Sequence, residues 1–194
     1  MKFLTKYINS DILTEDLKYK SGADNSRLRI KLLEEQHNFC AYTEKYFSNI
    51  DCAEVEHFNP SLKDTDNYYN YYTTLRYANQ QKISKYPIYK KSDFFKTLFF
   101  QDDAELKSRI YYEDFEYLLT NKDDREAGDL VGYLGLNDDY LYGERMMHID
   151  RLKSTIGDFT PEQKQTYFKK YKNDLSFPTA IEYEFEIDLS ALLP

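Results

Sequence analysis

The segment from residue 52 to residue 82 constrains the fold more than any other part of the sequence. Residues 52–58, CAEVEHF, alternate in polarity and contain β-compatible side chains, so we predict a short strand there. Pro60 ends that strand, because proline cannot donate to a strand ladder. The polar stretch SLKDTDN, residues 61–67, is typical of a turn.

A second strand and a helix are predicted directly after this turn. The stretch YYNYYTT is aromatic and β-branched and favours a short strand around residues 70–73. We then expect a helix from Leu75 through Lys82, with Thr73 or Thr74 as its N-cap. The predicted order is therefore strand, loop, strand and helix within about thirty residues.

Most of the remaining chain has helical periodicity. Residues 26–39 predict an amphipathic helix with Ser26 as a cap, and residues 126–136 and 138–156 also carry apolar side chains at helical spacing. Thr160, followed by proline and then by glutamine at the third position after the cap, marks another helix start. Residues 180–189, AIEYEFEIDL, alternate and suggest a late strand. The fold class predicted is α+β, mainly helical.

Composition limits the class of protein. The 194 residues are typical of one domain, so we take residues 1–194 as a single domain with a helical appendage over about 100–175. No apolar run approaches the roughly 20 residues that span a bilayer, and the first residues lack the features of a secretory signal, so no membrane association is expected. Two cysteines do not form a disulfide framework, which favours a reduced, cytoplasmic location.

The charge balance argues against a protein that coats nucleic acid through bulk charge. The formal net charge is -8, which disfavours general binding to a polyanion but permits a local basic face. Two basic runs are candidates for such a face, each with a solvated helix surface as the alternative. They are Arg27, Arg29 and Lys31, and Lys82, Lys85, Lys90, Lys91 and Lys96.

Three side chains in the central segment suggest hydrolytic chemistry. Glu56 and His57 lie near the end of the first predicted strand, where both can face one cleft, and Asn79 lies on the following helix. Carboxylate and amide oxygens are hard ligands that suit Mg²⁺ or Mn²⁺. A neutral imidazole beside such an ion is a suitable general base for phosphodiester hydrolysis, and Lys82, one turn after Asn79, could approach the same phosphate. The alternative is a structural Glu–His pair and a solvated helix surface.

The ordered set of residues resembles the HNH nuclease motif of the ββα-metal fold. The set consists of EHFNP at residues 56–60, Asn70, and NQQK at residues 79–82. The resemblance implies a mainly helical α+β protein built around a ββα-metal core over about residues 50–85, with a C-terminal helical region. It also implies a DNA endonuclease that uses Mg²⁺ or Mn²⁺.

The resemblance assigns a role to each matching residue. His57 would be the general base, Glu56 and Asn79 the metal ligands, and Asn70 the residue that fixes the loop by hydrogen bonds. Lys82 would act in catalysis and, with Lys85, Lys90 and Lys91, would contact DNA. Glutamate in place of the more frequent aspartate before the histidine lengthens the ligand arm by one methylene group.

The flanking segments resemble a subgroup of small HNH proteins from bacterial anti-phage systems, the Septu PtuB type and the retron-associated effectors. EEQHNFCAYTE precedes the motif, and an L-x-L-N-x-x-x-L-x-x-x-R segment beginning at Leu134 follows it, so the similarity covers about residues 26–155. The subgroup implies an ABC-type ATPase partner. We expect residues 158–194, which have no assigned role, to dock a partner.

The chain departs from the subgroup at a structural zinc site. Where many members have two C-x-x-C pairs, this chain has Cys40 with Thr43, and then Leu75 with Ala78. A structural zinc needs its full set of four ligands, so no structural Zn²⁺ is expected. A small apolar cluster would replace it, with Cys40, and Cys52 likewise, as a buried small hydrophobe.

Two alternative functions stay open. Loss of the zinc ligands and a tyrosine-rich surface would also suit a catalytically inactive, HNH-like adaptor that binds a partner protein. A toxin-like nuclease held by an immunity protein is a further, weaker possibility.

Overall fold

Two antiparallel strands and the helix that follows them form the part of the fold that positions the candidate site. The computed structural model describes residues 1–48, 52–63 and 65–193. Residues 50, 51 and 64 of the predicted 50–85 core therefore lie outside the described residues. The described chain is α+β and mainly helical.

The strands form two separate two-stranded antiparallel sheets, one near the middle of the chain and one after it. The strands are β1 (Ala53–His57), β2 (Tyr71–Leu75), β3 (Ile110–Glu113) and β4 (Glu116–Leu119). The helices are α1 (Asp11–Thr14), α2 (Ser26–Glu35), α3 (Arg76–Tyr89), α4 (Phe94–Thr97), α5 (Asp103–Arg109), α6 (Arg125–Leu134), α7 (Asp139–Ile156), α8 (Pro161–Lys170) and α9 (Pro178–Phe185). Short 3-10 turns lie at Pro60–Leu62, Tyr68–Asn70, Phe99–Gln101 and Lys172–Leu175.

The predicted order of strand, loop, strand and helix is confirmed. β1 pairs with β2 from Ala53 opposite Leu75 to His57 opposite Tyr71, so the loop joins the His57 end of β1 to the start of β2. The helix after β2 is longer than predicted. α3 begins at Arg76 and continues through Pro87 to Tyr89.

Phe58 fixes the end of β1 in the main core. Its buried ring packs against six other aromatic rings, of which the nearest is Phe100 at a centroid distance of 4.4 Å. The other rings are Tyr42, Tyr72, Phe94, Phe95 and Tyr133. Tyr133 on α6 also donates a hydrogen bond of 2.7 Å to the Phe58 carbonyl oxygen. The residue next to His57 is thereby held by both ring packing and a buried hydrogen bond.

Gln36, in the segment before the motif, joins the end of α2 to β2. Its amide nitrogen donates to the carbonyl oxygens of Phe39 and Thr73, and its amide oxygen accepts from the Thr73 N–H. The side chain therefore pairs the buried Thr73 N–H of β2 and shares the Thr73 carbonyl oxygen with the Ala41 N–H. This explains structurally why a glutamine stands at this position.

Asn137 and Arg145, from the segment after the motif, also have structural partners. Asn137 exchanges two hydrogen bonds with the Tyr117 backbone of β4, at 2.8 and 2.9 Å. The buried Arg145 guanidinium donates to the carbonyl oxygens of Phe115 and Leu136. These bonds tie the turn between α6 and α7 to the β3–β4 hairpin.

The C-terminal region contains one confirmed prediction and one error. Thr160 and Gln163 form the predicted capping box at the start of α8. The late strand predicted over residues 180–189 is wrong, because α9 occupies its first half. Ile181 and Phe185 are both buried at the i, i+4 spacing of a helix face, so helical packing overrides the alternating pattern.

Three further local expectations are wrong. Thr73 and Thr74 lie inside β2, and the N-cap of α3 is Leu75, which has no capping side chain. Ser26 is the first residue of α2 and not its cap, because Asn25 holds that position, and the helix ends at Glu35. Cys52 is exposed, since it precedes β1 outside the core.

Among the described residues, no helix combines the length and the apolar character that crossing a bilayer requires.

Candidate active site

His57 is held by a carboxylate at the mouth of the loop between β1 and β2. Its Nδ1 is hydrogen-bonded to Asp66 Oδ2, and the two side chains are only 11% and 4% exposed. Asp66 also accepts hydrogen bonds from Asn70 Nδ2 at 2.7 Å and from the Tyr71 hydroxyl at 3.1 Å. A carboxylate on Nδ1 favours the tautomer with its proton on that nitrogen, so the lone pair of Nε2 is free.

Asn70 holds the chain that leaves β1. Its Oδ1 accepts a 2.7 Å hydrogen bond from the Asn59 N–H, and its Nδ2 donates to the Asn59 carbonyl oxygen at 3.1 Å. Because Nδ2 also donates to Asp66, one buried amide links both ends of the loop to the partner of His57. These are loop-fixing contacts.

Glu56 and Lys82 form a buried ion pair between β1 and α3. Their side chains are 2% and 1% exposed, and Lys82 Nζ donates to Glu56 Oε2. Nζ also donates to the carbonyl oxygens of His57 at 2.5 Å and Phe58 at 3.4 Å. Burial raises the pKa of Glu56, and the Lys82 ammonium opposes that effect, while burial lowers the pKa of Lys82.

The lysines expected to contact DNA do not form one surface with the site. Lys82 does not fit that role, because its ammonium group is buried and already bound by Glu56 and two carbonyl groups. Lys85 forms an ion pair with Asp138. Lys90 and Lys91 are exposed beyond the end of α3 and do not line the cavity that contains His57.

Glu56, His57 and Asn79 line one cavity of about 670 Å³. Although successive side chains of a strand point to opposite faces, Glu56 and His57 both reach this space at the end of β1. Seven buried side-chain polar atoms in the described residues have no hydrogen-bond partner there, and four of these are hydroxyl groups. The other three are Glu56 Oε1, His57 Nε2 and Asn79 Oδ1, and all three belong to residues that line this cavity.

The unpartnered atoms fit a small divalent cation better than a zinc ion. No group of three or more His, Cys, Asp or Glu side chains with ligand geometry occurs among the described residues. Glu56 Oε1 and Asn79 Oδ1 are hard oxygen donors without partners, and Mg²⁺ commonly takes few protein ligands and completes its shell with water. The ammonium of Lys82 on the second carboxylate oxygen offsets part of the charge that would attract the ion.

Three residues of the site escaped sequence reasoning. Asp66 lies in the polar turn before β2. The one sequence feature that could have pointed to it is that it is an acidic residue in the loop that follows His57. The Tyr19 ring meets the His57 ring edge-on at a centroid distance of 4.7 Å and lines the cavity, although it comes from a distant loop without a motif. Lys63 lines the cavity from the loop after β1.

Two of the four positions that correspond to zinc ligands in the subgroup, Cys40 and Leu75, are in contact. The Leu75 N–H donates to Cys40 Sγ at 3.4 Å, and Cys40 and Ala78 are buried. Burial raises the pKa of the Cys40 thiol. Cys40 therefore contributes to the core as a neutral thiol.

Comparisons with protein-family models, with curated proteins and with solved structures find no match to this chain.

Proposed function

We propose that this protein is a metal-dependent endonuclease of the HNH type that hydrolyses phosphodiester bonds of DNA. One observation carries the proposal: a carboxylate oxygen, an amide oxygen and an imidazole nitrogen, all buried without partners, belong to side chains that line the same cavity. Leaving such groups unsatisfied costs about 1–3 kcal/mol each, so the presence of all three around one cavity is best explained by a ligand.

The proposed mechanism assigns the proton transfer to His57 and Asp66. Nε2 of His57 accepts a proton from the attacking water, and the Asp66 carboxylate on Nδ1 stabilises the imidazolium that forms. Asn70 holds Asp66 in place. Glu56 and Asn79 would hold Mg²⁺ or Mn²⁺, and such an ion would supply charge stabilisation to the phosphodiester.

The biological setting remains part of the proposal. The resemblance to anti-phage HNH proteins supports a cytoplasmic defence role together with an ABC-type ATPase. A net charge of -8 suits a nuclease subunit whose hold on DNA depends on a partner or on one local basic site.

The test is cleavage of plasmid DNA with Mg²⁺ or Mn²⁺, with and without a candidate ATPase. We expect His57→Ala to lower the rate by about 10²–10⁴-fold, and Asp66→Asn to lower it less. His37→Asn is the matched control, because His37 is a half-buried histidine away from the cavity whose positive φ of 51° asparagine tolerates. Equal cleavage by the wild type and His57→Ala under every condition would refute the proposed nuclease activity.

The buried Glu56–Lys82 pair favours a second candidate, a catalytically inactive adaptor. An internal ammonium group that neutralises the predicted metal ligand is compatible with a site that no longer binds metal. Titration of the protein with Mn²⁺ separates the two functions. Heat of binding that disappears in Asn79→Ala supports the nuclease, and no binding by the wild type supports the adaptor.

A further inference from the structure

We infer that Arg29 and Lys63 form a phosphate-binding pair that holds a nucleic-acid strand in the cavity beside His57. The inference rests on the proposed function for the class of substrate, and it replaces Lys82, Lys85, Lys90 and Lys91 as the expected DNA contacts. Two side chains from different elements, α2 and the loop after β1, carry it.

The acidic side chains that line the cavity are already neutralised or hydrogen-bonded within the protein. Asp24 accepts from the Ser26 N–H at 2.8 Å, Glu54 pairs with Arg76 at 2.6 Å, and Glu56 pairs with Lys82. Glu54 and Glu56 therefore each have a cationic partner. Hydrogen bonds from Ser26, and to a smaller extent the charge of Arg29, lower the pKa of the exposed Asp24, which forms no direct ion pair with another described residue. Positive charge that could bind a ligand in the cavity must therefore come from basic residues other than Arg76 and Lys82.

The basic residues of α2 differ in whether they have a partner. Arg27 pairs with Glu15 at 2.7 Å, and Lys31 pairs with Asp11 at 2.8 Å. Arg29, which lies between them, forms no ion pair with another described residue and is the member of the three that lines the cavity. The guanidinium of this run that lacks a direct ion pair therefore lines the cavity that contains His57, where its charge also acts on the exposed Asp24.

Lys63 provides a second cation without a direct ion pair in the same space. It follows the 3-10 turn after β1, is exposed, and forms no ion pair within the described part of the chain. Arg29 comes from α2 and Lys63 from the loop after β1, so the two cations reach the cavity from different elements. Such an arrangement suits a polyanionic strand, because each cation can neutralise a separate backbone phosphate.

A guanidinium group together with an ammonium group suits a ligand with phosphate groups better than a ligand whose only anionic group is a carboxylate. A guanidinium group presents two parallel N–H donors to a phosphate, and an ammonium group adds a point charge. The partly buried ring of Tyr19, which contacts His57 edge-on, lines the same cavity and offers an apolar surface for a sugar or base. The cavity therefore combines uncommitted positive charge with an aromatic surface next to the candidate base.

The test measures binding without catalysis. A short fluorescein-labelled DNA strand, single or annealed to its complement, is titrated with protein at low salt in EDTA, and binding is followed by fluorescence anisotropy. Whichever form the wild type binds more tightly is used for the variants. We expect Arg29→Gln and Lys63→Gln each to weaken binding by about fivefold and to lower the slope of log K against log salt concentration by about one.

Arg27→Gln is the matched control, because it removes the same charge from the same helix outside the cavity. We expect its affinity to stay within about twofold of the wild type, since its ion pair is exposed. The inference is overturned if Arg29→Gln binds as the wild type does, if Arg27→Gln loses as much affinity as Arg29→Gln, or if the wild type binds neither form of the strand.

The binding test and the cleavage test can fail independently. Binding that depends on Arg29 but without cleavage in Mg²⁺ or Mn²⁺, both with and without the candidate ATPase, supports the phosphate-binding pair and refutes the nuclease. Cleavage by the wild type combined with unchanged binding by Arg29→Gln refutes the pair and supports the nuclease.

Discussion

Replacing Lys82 with methionine tests whether the Glu56–Lys82 pair is buried as the structure shows. The substitution keeps most of the side-chain volume but leaves the Glu56 carboxylate, which is 2% exposed, without its ammonium partner. It also removes the donor to the His57 and Phe58 carbonyl groups. We expect a marked loss of stability, because an unpaired charge would then remain in the protein interior.

The magnitude follows from the burial of both partners. Removing one partner of a buried ion pair costs about 3–5 kcal/mol, whereas an exposed pair contributes about 0–1 kcal/mol. In a protein of this size each kcal/mol lowers the melting temperature by about 2–4 °C. We therefore expect Lys82→Met to melt about 10 °C below the wild type at neutral pH.

The pH dependence has a defined sign. Burial raises the pKa of Glu56 above that of the unfolded chain. A carboxyl group with a raised folded-state pKa stabilises the fold below its unfolded pKa, and that contribution is lost as the pH rises through the folded pKa. Without Lys82 the loss of stability on raising the pH is larger. The difference in the free energy of unfolding between Lys82→Met and the wild type should therefore shrink as the pH is lowered from about 8 to about 5.

The assay is urea unfolding followed by circular dichroism at several pH values, with Lys85→Met as the matched control. Lys85 lies one turn later on α3 and pairs with the half-exposed Asp138, so its loss should cost about 1 kcal/mol or less. A Lys82→Met protein within about 1 kcal/mol of the wild type, or a deficit that grows at low pH, would refute the reasoning.

Three other substitutions test local features of the fold. Asn70→Ala removes the hydrogen bonds to Asn59 and should cost about 2–3 kcal/mol in urea unfolding, and an unchanged midpoint would contradict the loop-fixing role. Gly132→Ala would make Cβ collide with the Tyr89 hydroxyl group, so we expect a lower melting temperature despite the better helix propensity of alanine, and a higher one would show that Tyr89 moves away freely. Thr160→Ala breaks the capping box and should cost about 1 kcal/mol by thermal unfolding, whereas no change would mean that water replaces the cap.

The strand, loop, strand and helix order could be predicted because it depends on local patterns. Alternation over β1, the following proline and the aromatic run before β2 all act within a few residues. The prediction of a late strand over residues 180–189 failed because alternation in a short segment does not reveal which other elements pack against that segment. Ile181 and Phe185 instead pack as one helical face.

The role of Lys82 could not be predicted from helical spacing alone. Spacing places Asn79 and Lys82 near one another on α3, but it does not show which stripe of the helix faces the core. Ala78 and Lys82, four residues apart, are both buried, so the lysine points inward to Glu56. Asp66 was missed for a related reason, because its contact with His57 depends on the path of the loop and not on a repeat in the sequence.

The position of Phe58 links the candidate general base to the interior of the protein. One peptide bond separates His57 from a ring in contact with six others, so a shift of that ring would also move the imidazole. If the proposed nuclease function holds, substitutions in the aromatic cluster would then change turnover without touching substrate. A screen for altered activity would recover residues on α4 and α6 alongside those of the cavity wall, and measured stability would distinguish the two groups.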